Sequence, residues 1–287
     1  GGGRHGLLRR LGRGQPLRRH RAAPAALRHP VDRPARRLRV ERRPERGHRR
    51  VLIRRIERGV ERRRPGRRDR SGDQLVVGLR REAREEFDLA ARGARTTAEA
   101  ERAAQLAAAL GLHERSYGIA RARLGREAAR RSPTALALLF PRAYAERVRA
   151  AASASGFDPY YLWAIMRRES AFGPRAESPA QAHGLMQLLV PVARRIAFVS
   201  GQGVPTIDTL RRPEGILPLA SWYLAELTGH FRHAALAAAA YNGGTSAVAR
   251  WMEARGTLPL DEFVELIPYK ETRLYVKGVL GDYFTYR

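Results

Sequence analysis

The stretch DPYYLWAIMRRES, residues 158–170, constrains this 287-residue chain more than any other. Asp158 is a good N-cap, because its carboxylate can accept from the first free backbone N–H groups. Pro159 suits the first helical position, where no donor is needed. Leu162, Ile165, Met166 and Glu169 then recur at i, i+3, i+4 and i+7, so they share one face of a helix. Ser170, Gly173 and Pro174 end it. The pattern predicts a buried helix whose last turn carries a carboxyl group on its apolar face.

That placement has chemical consequences. Burial disfavours the charged form of a carboxyl group, and the partial negative charge of a helix C-terminus acts in the same direction. Glu169 is therefore expected to hold its proton to unusually high pH, as a general acid must. The competing reading of the same residues is a solvated helix-end Glu169 paired with Arg167 or Arg168. The helix by itself leaves both open.

The wider pattern favours the first. Four stretches occur in order: Glu169-Ser170 with Phe172, Pro174, Ala176 and Ser178; Gly184-Leu185-Met186-Gln187; Ala240-Tyr241-Asn242-Gly243 with Val248 and Trp251; and residues 267–287 with Glu271-Thr272-Arg273 and Tyr275-Val276. In these residues the segment 157–287 resembles the catalytic domain of the soluble lytic murein transglycosylases, which have a goose-lysozyme-like fold. The resemblance implies that Glu169 is the single catalytic acid/base. It implies that Ser178 hydrogen-bonds near the N-acetyl group of the reacting sugar, and that Met186 and Gln187 line the cleft. Tyr241 and Asn242 would lie across from Glu169, Tyr275 would join the substrate-binding set, and Glu271 would contact a sugar or its peptide stem. For Tyr241, Tyr275 and Met186 ordinary core packing is the competing reading.

Two positions depart from the family's usual pattern. Gln181 stands where glycine is frequent, and a positive φ there would strain it. Val190, Pro191 and Val192 replace a more typical Met-Pro-x-Thr run. Neither change removes a reacting group.

The resemblance also implies a reaction. Most glycosidases use two carboxylates, whereas this motif supplies one. A single acid suffices if the N-acetyl oxygen of muramic acid stabilises the anomeric carbon and the sugar's own C6 hydroxyl attacks it. The product is then a 1,6-anhydro sugar, and no water is consumed. Spacing alone does not separate this from hydrolysis on the same fold.

The expected fold class is mainly α: a lysozyme-like all-helical catalytic domain at 141–287, a short helical-repeat or linker region at 73–140, and a disordered Arg-rich N-terminus at 1–72. The N-terminal zone holds 26 Arg and 6 acidic residues, a net +20 of the total +27. Such a segment buries too little apolar surface to offset chain entropy. The chain has two lysines, Lys270 and Lys277, against 53 arginines (55 − 2), which fits a GC-rich gene. Out-of-frame translation of such DNA yields this composition, so an unstructured or mistranslated tail is expected rather than a nucleic-acid arm. Aromatic residues for base stacking are almost absent from it. Helices are expected at 73–93, 96–112, 113–131 and 141–156 ahead of the catalytic one, and at 210–231, 233–242, 246–256 and 269–287 after it.

There are no cysteines, and the eight histidines show no paired-ligand spacing, so no metal or cofactor is expected. No stretch is apolar for long enough to span a membrane. The expected partner is the peptidoglycan glycan strand, the expected state a monomer, and the expected location the periplasm or cell envelope. The chain starts Gly-Gly-Gly without Met, so an export signal is expected upstream. A non-catalytic glycan or nucleic-acid binder is the reading from a different class.

Overall fold

The computed structural model describes residues 93–287, together with Phe87 and Ala91. The Arg-rich zone 1–72 and nearly all of the helix expected at 73–93 lie outside the described residues.

Among the described residues there are thirteen helices and one two-stranded hairpin. Helices α1 (Thr97–Ala109), α2 (His113–Arg123), α3 (Arg126–Arg131) and α4 (Pro133–Leu139) come first. Then follow α5 (Ala145–Ser155), α6 (Pro159–Ser170), β1 (Ala182–His183), β2 (Leu188–Leu189), α7 (Val190–Ser200) and α8 (Ile207–Leu210). The chain closes with α9 (Pro213–Phe231), α10 (Ala234–Gly243), α11 (Thr245–Arg255), α12 (Leu260–Glu265) and α13 (Lys270–Tyr286).

Local chemistry explains most of these boundaries. Thr96 and Glu99 form a reciprocal capping box that starts α1. The helix expected over 113–131 is two helices: Leu124 is extended, with its side chain buried, and Gly125 follows it as the N-cap of α3. The Ser-Pro pair at 132–133, which lies between the helices expected at 113–131 and 141–156, starts a helix of its own. Ser132 caps α4 and Pro133 occupies its first position. Residues 190–200, for which no helix is expected from the sequence, form α7 with Pro191 in its first turn. Helix α12 likewise went unread.

Helix α6 follows the expected course: Asp158 accepts from the Tyr160 N–H at 2.8 Å, and Pro159 opens the helix. Its Leu162, Trp163, Ile165 and Met166 are almost fully buried. Each contributes about 1.5–3 kcal/mol of burial, so packing rather than intrinsic propensity holds this aromatic-rich helix. Helix α9 runs through the interior and buries Ile216, Leu217, Leu219, Ala220, Tyr223, Leu224 and Leu227. Helix α10 buries Ala235 through Ala240, apart from Leu236 all alanines, and small side chains let α9 and α13 approach it closely.

Helix α13 lies antiparallel along α6. Tyr275 meets Glu169, Asp282 meets Arg167 and Arg168, the Tyr283 hydroxyl donates to Asp158 Oδ2 at 2.8 Å, and Tyr286 stacks on Trp163 at 6.1 Å between centroids. The N-terminal helices have a small core of their own, made by Ala104, Ala120, Leu124, Ala135, Leu138 and Leu139. They dock on the larger core through Phe140, the edge-on pair Tyr117–Phe172 at 5.1 Å, and the Leu139 carbonyl, which accepts from Arg167 Nε at 3.1 Å.

Candidate active site

Glu169 sits one residue from the C-terminal end of α6 and is half-buried. Ala171 and Phe172, which follow, both have positive φ, 50° and 69°, so the chain turns away at once. That conformation costs L-residues about 1–2 kcal/mol each; burial of Phe172 against Tyr117 offsets it. Ser170 Oγ donates to the Leu185 carbonyl at 2.9 Å, tying the end of α6 to the Gly184–Gln187 turn.

The Glu169 carboxyl does not pair with either neighbouring arginine. Both guanidinium groups bind Asp282: Arg167 Nη1 lies 2.8 Å from each carboxylate oxygen, Arg168 Nε 2.6 Å from Oδ2 and Arg168 Nη2 2.9 Å from Oδ1. Glu169 Oε1 instead accepts from the Tyr275 hydroxyl at 2.6 Å. Burial pushes the Glu169 carboxyl up to about 7; the Tyr275 hydrogen bond opposes the rise, and the Glu271 charge adds to it. Burial, with the Glu169 charge beside it, also holds Tyr275 well above the ordinary phenol range, so it stays a donor.

Tyr241, on α10, is the third member of this group. Its hydroxyl donates to the Met186 carbonyl at 2.7 Å, and its proton affinity is raised by burial first and by the Glu169 charge second. Met186 is fully buried, so its backbone carbonyl supports Tyr241 while its side chain packs in the core. Asn242 Oδ1 accepts from Thr272 Oγ1 at 2.7 Å. A Cβ on Gly243 would come within 3.0 Å of that same hydroxyl oxygen. The third and fourth sequence stretches therefore meet at Thr272, a contact that spacing alone did not reveal. Glu271, one turn before Tyr275, is exposed.

Ser178, Gly184 and Gln187 belong to the hairpin facing this group of residues. Ser178 Oγ accepts from the Ala182 N–H at 3.1 Å, closing a tight turn. Gln181, in that turn, has φ 61°, the strained conformation expected where glycine is frequent. Gly184 has φ 73°, and a Cβ there would lie 1.9 Å from the Leu210 carbonyl oxygen, so glycine is required twice over. Gln187 Nε2 donates to the carbonyls of Ala176 and Gly184 at 3.1 and 3.0 Å, which braces the hairpin. Tyr275 thus touches Glu169, the charge of Glu271 acts on it through space, and the charge of Glu169 acts in turn on Tyr241. Ser178 and Gln187 engage the hairpin backbone.

The sequence reading missed Asp282, and it named Ser170 as a motif residue without its bond to the Leu185 carbonyl. Asp282 had a readable signal. It falls within the buried spacing Val276, Val279, Tyr286 of the last helix, and two adjacent arginines end the helix most suited to pack there.

Residues 146–264 match the transglycosylase SLT domain. Over 154 residues the chain is 40% identical to the putative soluble lytic murein transglycosylase of Haemophilus influenzae, covering 53% of this chain and 26% of that protein. It is 34% identical over 151 residues to the soluble lytic murein transglycosylase of Escherichia coli K12, covering 52% and 23%. The chain spans about a quarter of the length of these relatives. The structure aligns with the 70 kDa soluble lytic transglycosylase of Escherichia coli at a TM-score of 0.62 and 27% identity, over 74% of this chain and 33% of that one. An inactive Glu-to-Gln mutant of the lytic transglycosylase Slt from Pseudomonas aeruginosa aligns at 0.58 and 28%, over 75% and 33%. Residues 146–264 carry this similarity to the transglycosylase SLT domain, and the helical, lysozyme-like fold expected from the four motifs is the fold observed.

Proposed function

We propose that this chain is a peptidoglycan lytic transglycosylase that cleaves the β-1,4 bond between N-acetylmuramic acid and N-acetylglucosamine. The observation that carries the proposal is the half-buried Glu169 carboxyl, bound among the described residues by one neutral hydroxyl and by no guanidinium. With Oε1 occupied by the Tyr275 donor, the acidic proton belongs on Oε2. Glu169 gives that proton to the glycosidic oxygen as its bond to C1 breaks. The N-acetyl oxygen of the muramic acid residue stabilises the positive charge at C1. The C6 hydroxyl oxygen then bonds to C1 and its proton returns to Glu169, which leaves a 1,6-anhydromuramic acid end and the enzyme in its starting state. A carboxyl poised near neutrality serves both steps. Tyr275 supports the carboxylate between them.

The remaining roles follow the same reading. Ser178, Gln187, Tyr241, Asn242 and Glu271 form the substrate-binding surface, with Ser178 near the N-acetyl group and Glu271 toward a sugar or stem peptide, and the buried Met186 lies behind it, its carbonyl holding Tyr241. The polymer places the enzyme in the periplasm or elsewhere in the cell envelope. Among the described residues no helix is long and apolar enough to cross a membrane. In the domain division that fits this function, residues 141–287 are the catalytic unit, preceded by a linker region whose described helices run from Thr97 to Leu139.

Digestion of purified peptidoglycan by the chain and by Glu169→Gln, followed by mass spectrometry, tests the proposal. Anhydro-muropeptides from the parent alone are expected. Products one water heavier would make the enzyme a hydrolase. Equal turnover by a folded Glu169→Gln variant would remove Glu169 from the mechanism.

A further inference from the structure

We propose that Asp282 is a positioning residue for Glu169: by binding Arg167 and Arg168 together it keeps both guanidinium groups off the Glu169 carboxyl and fixes the register that brings the Tyr275 hydroxyl to it. The inference rests on the reading of Glu169 as the acid and adds a device that sets its charge environment.

Two arginines immediately precede Glu169 on α6, and an arginine within reach of a half-buried carboxylate would ordinarily pair with it. Here Asp282, on the neighbouring helix and only 4% exposed, takes four hydrogen bonds from the two of them. The two arginines are held differently. Arg167 has further anchors in the Leu139 carbonyl and in the rings of Phe140 and Tyr117, 4.4 and 5.2 Å from its guanidinium carbon. Arg168 has its side chain 38% exposed, and Asp282 is its salt-bridge partner. It reaches Asp282 across Gly278, where a Cβ would lie 2.7 Å from its guanidinium carbon. Loss of Asp282 would release Arg168 first.

The register argument uses the same helix pair. Asp282 lies seven residues, about two turns, beyond Tyr275 on α13. The clamp on Arg167 and Arg168 and the bond to Glu169 are therefore neighbouring rungs of one antiparallel contact. The groups facing Glu169 are Tyr275 and Glu271 on α13, and Tyr241 on α10 with Tyr223 of α9 beside it. In the hairpin, Glu177 is engaged by Arg211 at 2.9 Å and lies 3.8 Å from His183. None of these groups is a cation free to reach the carboxyl; Arg167 and Arg168 are the cations beside it in sequence.

The test is the pH dependence of kcat on peptidoglycan for the full chain and for Asp282→Asn, Arg168→Gln and the double variant. Cleavage needs protonated Glu169, so kcat falls on the alkaline side. Asp282→Asn leaves two uncompensated guanidinium groups, which favour the carboxylate and move that limb down by about one pH unit. Arg168→Gln removes a cation and moves it upward by a few tenths of a unit. The double variant restores the original charge sum (+2 − 1 in the parent, +1 in the double variant), and its limb returns toward the parent's.

A lower kcat with an unshifted limb in Asp282→Asn would reduce Asp282 to a structural role and overturn the inference. Should Asp282→Asn fail to fold, Arg168→Gln decides, and a limb identical to the parent's overturns it. If the parent releases no anhydro-muropeptide, the functional reading fails separately. The titration of 13C-labelled Glu169 in parent and variants then still reports whether Asp282 controls its proton.

Discussion

Helices α6 and α13 carry two carboxylates, Glu169 half-buried and Asp282 buried, and treat them in opposite ways. Asp282 receives four hydrogen bonds from two guanidinium groups. Glu169 receives one from a neutral phenol, with the charge of Glu271 adding to its difficulty in ionising. The first arrangement satisfies a charge and joins two helices. The second keeps a charge from forming until a proton has been handed on. Removing water from a carboxyl group is common to both sites; the partners supplied in place of water decide whether the group serves structure or chemistry.

The sharpest break of this comparison is Glu169→Gln, which should lower the rate of anhydro-muropeptide release about 10³-fold or more, since the general acid and base are lost together. The same change should stabilise the fold at alkaline pH. The folded-state value of about 7 lies above the ordinary 4.5, so the native protein binds the extra proton. Its stability is intact below pH 4.5 and erodes as pH rises through about 7. Gln carries no such penalty, and urea denaturation at pH 8 should favour the variant by about 2 kcal/mol, vanishing under acid conditions.

Asp282→Ala should do the reverse. It should cost about 3 kcal/mol in denaturant unfolding by stranding the partly buried Arg167 and Arg168. Tyr275→Phe removes the hydroxyl that donates to the Glu169 carboxylate. It should lower kcat about tenfold and move the alkaline limb of the pH profile upward, because the hydrogen bond it deletes favours the ionised form. The smallest effect is expected from Glu271→Gln. Loss of a nearby negative charge eases ionisation of Glu169, and the limb should move down by a few tenths of a unit, read in kcat so that altered substrate binding does not mask it.

The two halves of this comparison were not equally legible in the sequence. Helix α6 and its terminal acid follow from an N-cap, a proline and one apolar face, all encoded within thirteen residues. The partners of Glu169 come from elements 106 and 72 residues away, Tyr275 and Tyr241. Only the family resemblance brought them near it, and it did not say which one would touch the carboxyl. The pairing of Arg167 and Arg168 was read locally, with Glu169 as the alternative partner, because the competing acid lies 114 residues on. Asp282 wins because the antiparallel packing of α13 delivers a buried carboxylate to the face where both guanidinium groups already point. The hairpin shows the same limit on a smaller scale. The strain at Gln181 was foreseeable from residue type, whereas the second reason for glycine at 184, the Leu210 carbonyl, depends on where α8 packs.

The most direct measurement is the proton titration of Glu169 itself, by 13C NMR of glutamate-labelled protein with Glu169→Gln to assign the resonance. A midpoint near 7 is the expected result, the value of a carboxyl that donates and recovers a proton at neutral pH. A midpoint near the ordinary 4.5 would mean that Glu169 is a solvated or ion-paired carboxylate, and the account of this site would fail.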